Sequence, residues 1–230
     1  MSPRPLPSCS RLHGTRGTLC AGAALLMLAA CSSKTPFPAG LGPLEASTAS
    51  WPADGEESLS TNFGEETEED DGYHWGHARA YVQQPIETVY AALRKPRVTA
   101  NRRSLADYTV EWDVEPEYTH SYVLHNRVED LISFEFDVTW RHGALDGSET
   151  APVEVGTRWQ KTEGSDVIEL QRGSVYTWAS SPEVTALELV VHQRSMGDDA
   201  TILVEYLDDF YADILAASHG EPLRDYPSGL

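Results

Sequence analysis

From Ile132 to Arg141 the chain alternates without a fault: Ile132, Phe134, Phe136, Val138 and Trp140 are apolar, and Ser133, Glu135, Asp137, Thr139 and Arg141 between them are polar. Successive side chains of a strand point to opposite faces, so this pattern suits a strand with one packed and one wet face and cannot serve a helix. Tyr108, Val110, Trp112 and Val114 alternate in the same way with Thr109, Glu111, Asp113 and Glu115. Thr185, Leu187, Leu189 and Val191 repeat the period, and Val153, Val155 and Trp159 follow it more weakly. The stretch from Val167 to Trp178 is broken by Gly173, which reads as a bulge or bend. Strands of this kind in series predict an antiparallel sheet with one buried face.

Two helical patterns bracket the strands. After the short run Ala78 to Gln83, Pro85 opens a helix in which Ile86, Val89, Tyr90 and Leu93 fall at i, i+3, i+4 and i+7, and Lys95-Pro96 stops it. A second short helix is expected within Pro96 to Leu105. Near the end of the chain, Asp198 or Asp199 caps a helix whose stripe is Ile202, Leu203, Tyr206, Leu207, Phe210 and Ile214. Glu205, Asp208, Asp209 and Asp213 are expected on its wet side, and Gly220 with Pro222 ends it.

The run Ala80-Tyr81-Val82-Gln83-Gln84-Pro85-Ile86-Glu87-Thr88-Val89-Tyr90-Ala91-Ala92-Leu93 is a strand leading into a helix of the form Pro-x-Glu-x-Val-aromatic-x-x-Leu. With the strands that follow and the long closing helix, it resembles the START/Bet v 1-like (SRPBCC) superfamily over residues 77 to 220. The resemblance implies an α+β helix-grip fold, a curved antiparallel sheet of about seven strands around a long C-terminal helix. It also implies a hydrophobic ligand held between sheet and helix, since members commonly hold one; others are cyclases, hydrolases or chaperone partners. A sheet curving away from a straight helix leaves a wedge, and such wedges are lined by apolar groups. Trp112, Phe134, Phe136, Trp140, Leu189, Tyr206 and Phe210 are the inward candidates for ligand binding.

The chain divides before that domain. Arg4, Arg11 and Arg16 precede twelve apolar or Gly residues, Leu19 to Ala30, a length that fits the core of a signal peptide and is too short to span a membrane. The run ends Leu28-Ala29-Ala30-Cys31, which resembles a bacterial lipoprotein signal with Cys31 as the acylated residue. Ser32 behind it points to an outer-membrane anchor facing the periplasm. Residues 1–30 thus read as a signal peptide and residues 31–72 as a lipidated Cys with a disordered tether. The tether carries Pro36, Pro38, Pro43 and Pro52 and closes on the acids Glu65, Glu66, Glu68, Glu69, Asp70 and Asp71. Such a segment buries too little apolar surface to order itself and should stand extended, holding the domain of residues 73–230 off the membrane. The acidic run lacks the spacing of a calcium loop.

Lys and Arg number 17 against 36 Asp and Glu, a net charge of -19, which disqualifies nucleic acid as a partner. The three cysteines are Cys9, Cys20 and Cys31, so the domain holds no disulfide, thiolate metal site or cysteine nucleophile. No Gly-x-Ser-x-Gly, phosphate-cradling Gly loop or His-Glu-x-x-His occurs. His74-Trp75-Gly76-His77 is the nearest approach to a metal motif, but its spacing suits a helix that Gly76 disfavours. His192, Arg172 and Arg194 fall near strand ends, where they could stand at a pocket mouth. Glu188 and His192 lie about 13 Å apart along one strand, too far for proton transfer. The chain therefore reads as a binding protein without cofactor or metal. The alternatives are a cyclase or hydrolase on the same fold, or an interaction module with a filled wedge and an unknown protein partner.

Overall fold

The alternating segments do form strands, and their inward residues meet one helix. The computed structural model describes residues 34–67, 72–129, 132–196 and 200–226, so Cys31, the signal segment and the expected cap at Asp198 or Asp199 lie outside the described residues. The strands are β1 (Leu59–Glu66), β2 (Tyr73–Val82), β3 (Asp107–Trp112), β4 (His120–Val128), β5 (Phe134–Ser148), β6 (Ala151–Gly164), β7 (Ile168–Ser181) and β8 (Val184–Ser195). The helices are α1 (Ile86–Leu93), α2 (Pro96–Thr99) and α3 (Ala200–His219). All eight strands join one antiparallel sheet in the order β1-β2-β8-β7-β6-β5-β4-β3. The helix-grip fold expected from the sequence is the fold found, with one strand more than the seven foreseen.

The inner face of the sheet presents Ala78, Ala80 and Val82 of β2, Tyr122 and Leu124 of β4, Trp140 of β5, Trp159 of β6 and Leu187, Leu189 and Val191 of β8. Against it α3 lays Leu203, Tyr206, Leu207, Phe210 and Ile214. Each fully buried Leu or Ile contributes about 1.5–3 kcal/mol, so this layer is the main source of stability. Pro85 sits at the N-cap of α1 and its Ile86, Val89, Tyr90 and Leu93 are buried, as the spacing predicts. The second short helix is a single turn, after which the backbone at Ala100 turns extended. Gly173 marks no bulge: it pairs in register with Trp159 and Val191. Its service is room, because a Cβ there would lie 2.1 Å from the Trp159 ring.

Two expectations are corrected. Asp209 and Asp213 do not face water on α3; the turn after α2 and the C-terminal tail bring cations over them. Arg102 Nη2 donates to both oxygens of Asp213 at 2.7 and 2.6 Å, and Arg103 donates to both oxygens of Asp209 at 2.5 and 2.9 Å.

The larger correction is the tether. Residues 34–57 form a strap that crosses the outer face of the sheet. Its hold begins where the Thr35 N–H donates to Thr162 O at 2.8 Å. Phe37 O and Pro38 O then accept from the buried Arg141 guanidinium, at 3.2 and 2.6 Å. Leu41 rests on the cross-strand pair Gly143 and Gly156; a Cβ on Gly156 would lie 2.2 Å from Leu41 O. Trp51 packs on Tyr81 and Trp178 at 5.2 and 5.4 Å between ring centres, and Arg79 lies over it. The chain next becomes β1, which pairs with β2 along its full length and supplies the eighth strand. Composition alone reads this segment as solvated; the order comes from polar groups and glycines that other strands present to it.

Candidate functional site

At the end of the sheet where β5, β7 and α3 begin and β4, β6 and β8 finish, the curve carries the strands away from the helix and leaves a cavity of about 450 Å³. That volume suits one ligand of drug size. Phe134, Phe136, Val138, Trp140, Trp159 and Tyr206 form its apolar walls. Trp140 and Trp159 stack at 4.7 Å and 15°, a flat floor that Gly173 makes possible. At the rim stand Ile132, Met196 and Ile202, respectively 63%, 72% and 43% exposed. Three large apolar side chains left in water around an apolar cavity are unusual for a face that meets only solvent.

The polar atoms of the wall come from uncharged groups, among them Thr99, Asn101, Asn126, Gln171 and Gln193. Thr99 Oγ1 is already bonded to the Tyr122 hydroxyl at 2.6 Å. The Asn126 amide nitrogen donates one of its two hydrogens to Leu124 O at 3.0 Å, which leaves its second N–H and its oxygen to offer. Burial pushes the Tyr206 phenol well above its ordinary pKa. Among the described residues no carboxylate, histidine or cation lines the cavity. This arrangement can hold an apolar body and orient a polar end; it offers no acid–base pair.

Of the residues the sequence nominated, Phe134, Phe136, Trp140 and Tyr206 line the cavity. Phe210 lies behind the floor, edge-on to Trp140 at 6.2 Å and to Trp159 at 5.9 Å. Leu189 is fully buried in the packed part of the core. Trp112 is 54% exposed, because it ends the edge strand β3 and no described strand pairs beyond it. Ile132 precedes β5 and belongs to the rim. Trp159, Gln171 and Gln193 went unnominated; their inward phase in β6, β7 and β8 was the available signal.

The outer face carries a second constellation, under the strap. His77 is brought to His192 and Glu45 and has no part in a site with His74. Glu45 Oε1 accepts from His77 Nε2 at 2.7 Å and from His192 Nε2 at 3.2 Å. The opposite nitrogens are acceptors: His77 Nδ1 receives the Thr48 N–H at 3.0 Å and His192 Nδ1 receives Arg172 Nε–H at 3.2 Å. A neutral imidazole carries one proton, so in both rings it sits on Nε2, pointing at Glu45. Those protons occupy the lone pairs a metal would need, and the cluster is a clamp on a carboxylate. Burial drives His192 down to about 4. Burial would raise Glu45, but the hydrogen bonds from His192 and His77 outweigh it and hold the carboxylate below its usual range. His192 and Arg172 thus secure the strap and do not stand at the pocket mouth. Arg194 pairs with Glu169 at 2.9 Å, and Glu188 serves Arg79.

No protein-family model and no curated protein sequence matches the chain. Solved structures do. Human StAR-related lipid transfer protein 5 aligns with a TM-score of 0.52 at 12% identity, over 74% of this chain and 88% of that one. Human STARD10 aligns with a TM-score of 0.49 at 10% identity, over 75% and 72%. Zhui aromatase/cyclase from Streptomyces sp. R1128 gives 0.43 at 13%, over 64% and 92%. At 12% identity the likeness to the first of these is one of architecture, and it agrees with the strand order and closing helix described above. The chain has the helix-grip fold of the START/Bet v 1-like proteins.

Proposed function

We propose that this chain is a lipid-anchored envelope protein whose helix-grip domain binds one hydrophobic small molecule between sheet and α3. The observation that carries the reading is the apolar cavity of about 450 Å³, floored by Trp140 and Trp159 and opening through the Ile132, Met196 and Ile202 rim. The lipid transfer named for human StAR-related lipid transfer protein 5 points the same way. Acylation of Cys31 and an outer-membrane location facing the periplasm rest on the sequence pattern around that residue.

Titration with an environment-sensitive apolar dye tests the reading. One dye should bind per chain, and Trp140 and Trp159 should transfer energy to it. Val128 lines the cavity and is only half-buried, so Val128→Trp places its extra volume in space that already exists. That variant should weaken dye binding at least about tenfold, near 1.4 kcal/mol, with little change in melting temperature. A native domain that binds no dye, or a variant that binds it as well as before, would refute the proposal.

A further inference from the structure

Lys161 stands out among the buried cations. The register of β5 and β6 sets it opposite Val138, and Trp159 precedes it by two residues on the same face. Gln160 pairs with Arg172, so the neighbour of Lys161 across β7 is Gln171. Val138, Trp159 and Gln171 all line the cavity; the one lysine of β6 is rooted among them on the same face, but its side chain lies behind the wall and is not part of the lining. The residue is 1% exposed, and Nζ makes no hydrogen bond to any described residue.

By contrast the buried Arg141 guanidinium is served by Glu115, Phe37 O and Pro38 O, and that of half-buried Arg102 by Asp213. Lys161 has three donors and gives none of them to a described residue. Asp166 and Glu169, around the β6–β7 hairpin, act on it only through space, and burial pushes its pKa down. A buried ammonium without an anion is destabilising, and an apolar chain of the same length would pack there without that penalty. The position makes sense if the missing anion arrives with the ligand. A lysine suits that role, since its four-carbon stem lets the ammonium swing from beneath the wall by rotamer changes alone.

Resting on the binding reading above, we infer that Lys161 is the headgroup anchor of the cavity. Its ligand is an amphiphile with one slender apolar body and an anionic oxygen head, a carboxylate or a phosphate monoester. The amide of Gln171, which lines the same stretch of wall, is the polar group nearest in register to complete the shell of such a head.

The test is displacement of the apolar dye from the purified full chain carrying Cys31→Ser, which removes any acyl chain of its own. Oleate, oleyl phosphate and oleyl alcohol are compared. Oleate or oleyl phosphate should displace the dye at a concentration at least about tenfold below that of oleyl alcohol, the worth of one charge-assisted bond. In Lys161→Met that preference should vanish, while oleyl alcohol competes as before. Lys161→Arg, which keeps the charge, should retain the preference and guards against a folding artefact. If both charged ligands displace equally, charge alone is recognised; if one leads, the head is assigned to it. Equal displacement by oleate and oleyl alcohol from the unsubstituted wall would overturn the inference and leave the binding reading intact, as would a preference that survives Lys161→Met. Failure of the dye itself to bind would overturn both.

Discussion

His142 shows how much one buried ring can decide. It projects from β5 into the core, fully buried, stacked on Tyr122 at 5.4 Å and parallel to Trp140 at 6.2 Å. Nδ1 meets Thr157 Oγ1 at 3.0 Å, and Nε2 has no partner among the described residues. Burial, aided by His120 and Arg94, forces its pKa down to about 3. The folded value thus lies below the unfolded one near 6.5. Above pH 6.5 the ring is neutral in both states and costs nothing. As pH falls from 6.5 towards 3, only the unfolded chain takes up the proton, so stability drops across that window and levels off below it. His142→Phe keeps the stack and removes the proton site. Its stability between pH 6 and 4 should fall less steeply than that of the parent, by about 1.4 kcal/mol per pH unit. Urea midpoints measured across that range check this; parallel curves would mean that His142 protonates in place. His192, forced to about 4 under the strap, supplies a residual slope of the same sign in the variant.

At the scale of elements the strap is the piece with the clearest consequence. Gly143 and Gly156 form the seat for Leu41, and a side chain on Gly156 would meet the Leu41 carbonyl at 2.2 Å. Gly156→Val should therefore lift residues 34–57 off the sheet, at a cost of about 1–3 kcal/mol by overpacking. Limited proteolysis reads it directly: cleavage within 34–57 should become faster in the variant, with the strands protected as before. Unchanged protection would show that the strap is held without its seat. The same contrast explains what the sequence could convey. α3 and β5 carry their burial in their own period, so their faces were legible from residues three, four or two apart. The strap carries no period; Arg141, His77 and His192 hold it from 29 or more residues away, and a local reading sees only Pro, Ser and acid. β1 was hidden for a related reason, since its pairing with β2 uses main-chain bonds that need no apolar pattern. In the cavity, alternation found Phe134, Phe136 and Trp140, but it cannot say which strand is an edge, and so it misplaced Trp112. Lys161 was legible in principle: after Val155, Thr157 and Trp159 it is a cation at an inward position.

The whole molecule carries -19 charges, and no described helix is long and apolar enough to cross a membrane. Repulsion from an anionic leaflet opposes close approach, so acylated Cys31 would have to supply the hold. The strap then changes where the domain sits. A tether of some 40 residues was expected to stand it off the surface, but Thr35 is already fixed to Thr162. Thr35 is four positions after Cys31, a reach of about 14 Å at full extension. Thr162 lies near the end of β6, and the hairpin that follows it delivers Val167 and Ile168 to the cavity. An acyl chain on Cys31, if it supplies the anchor as proposed, would be held within that reach of Thr35 and should turn the apolar rim of Ile132, Met196 and Ile202 towards the bilayer. Because the domain is free of cysteine, Ile132→Cys creates a single thiol there for a polarity-sensitive label. In vesicles, the lipidated protein should show the label's emission shifted to the blue; with Cys31→Ser added, the protein should leave the membrane fraction and the shift should disappear. Membrane-bound protein whose label still reports water would place the mouth away from the bilayer. Retention of the Cys31→Ser protein, with its signal removed, would mean that something other than the acyl chain holds it.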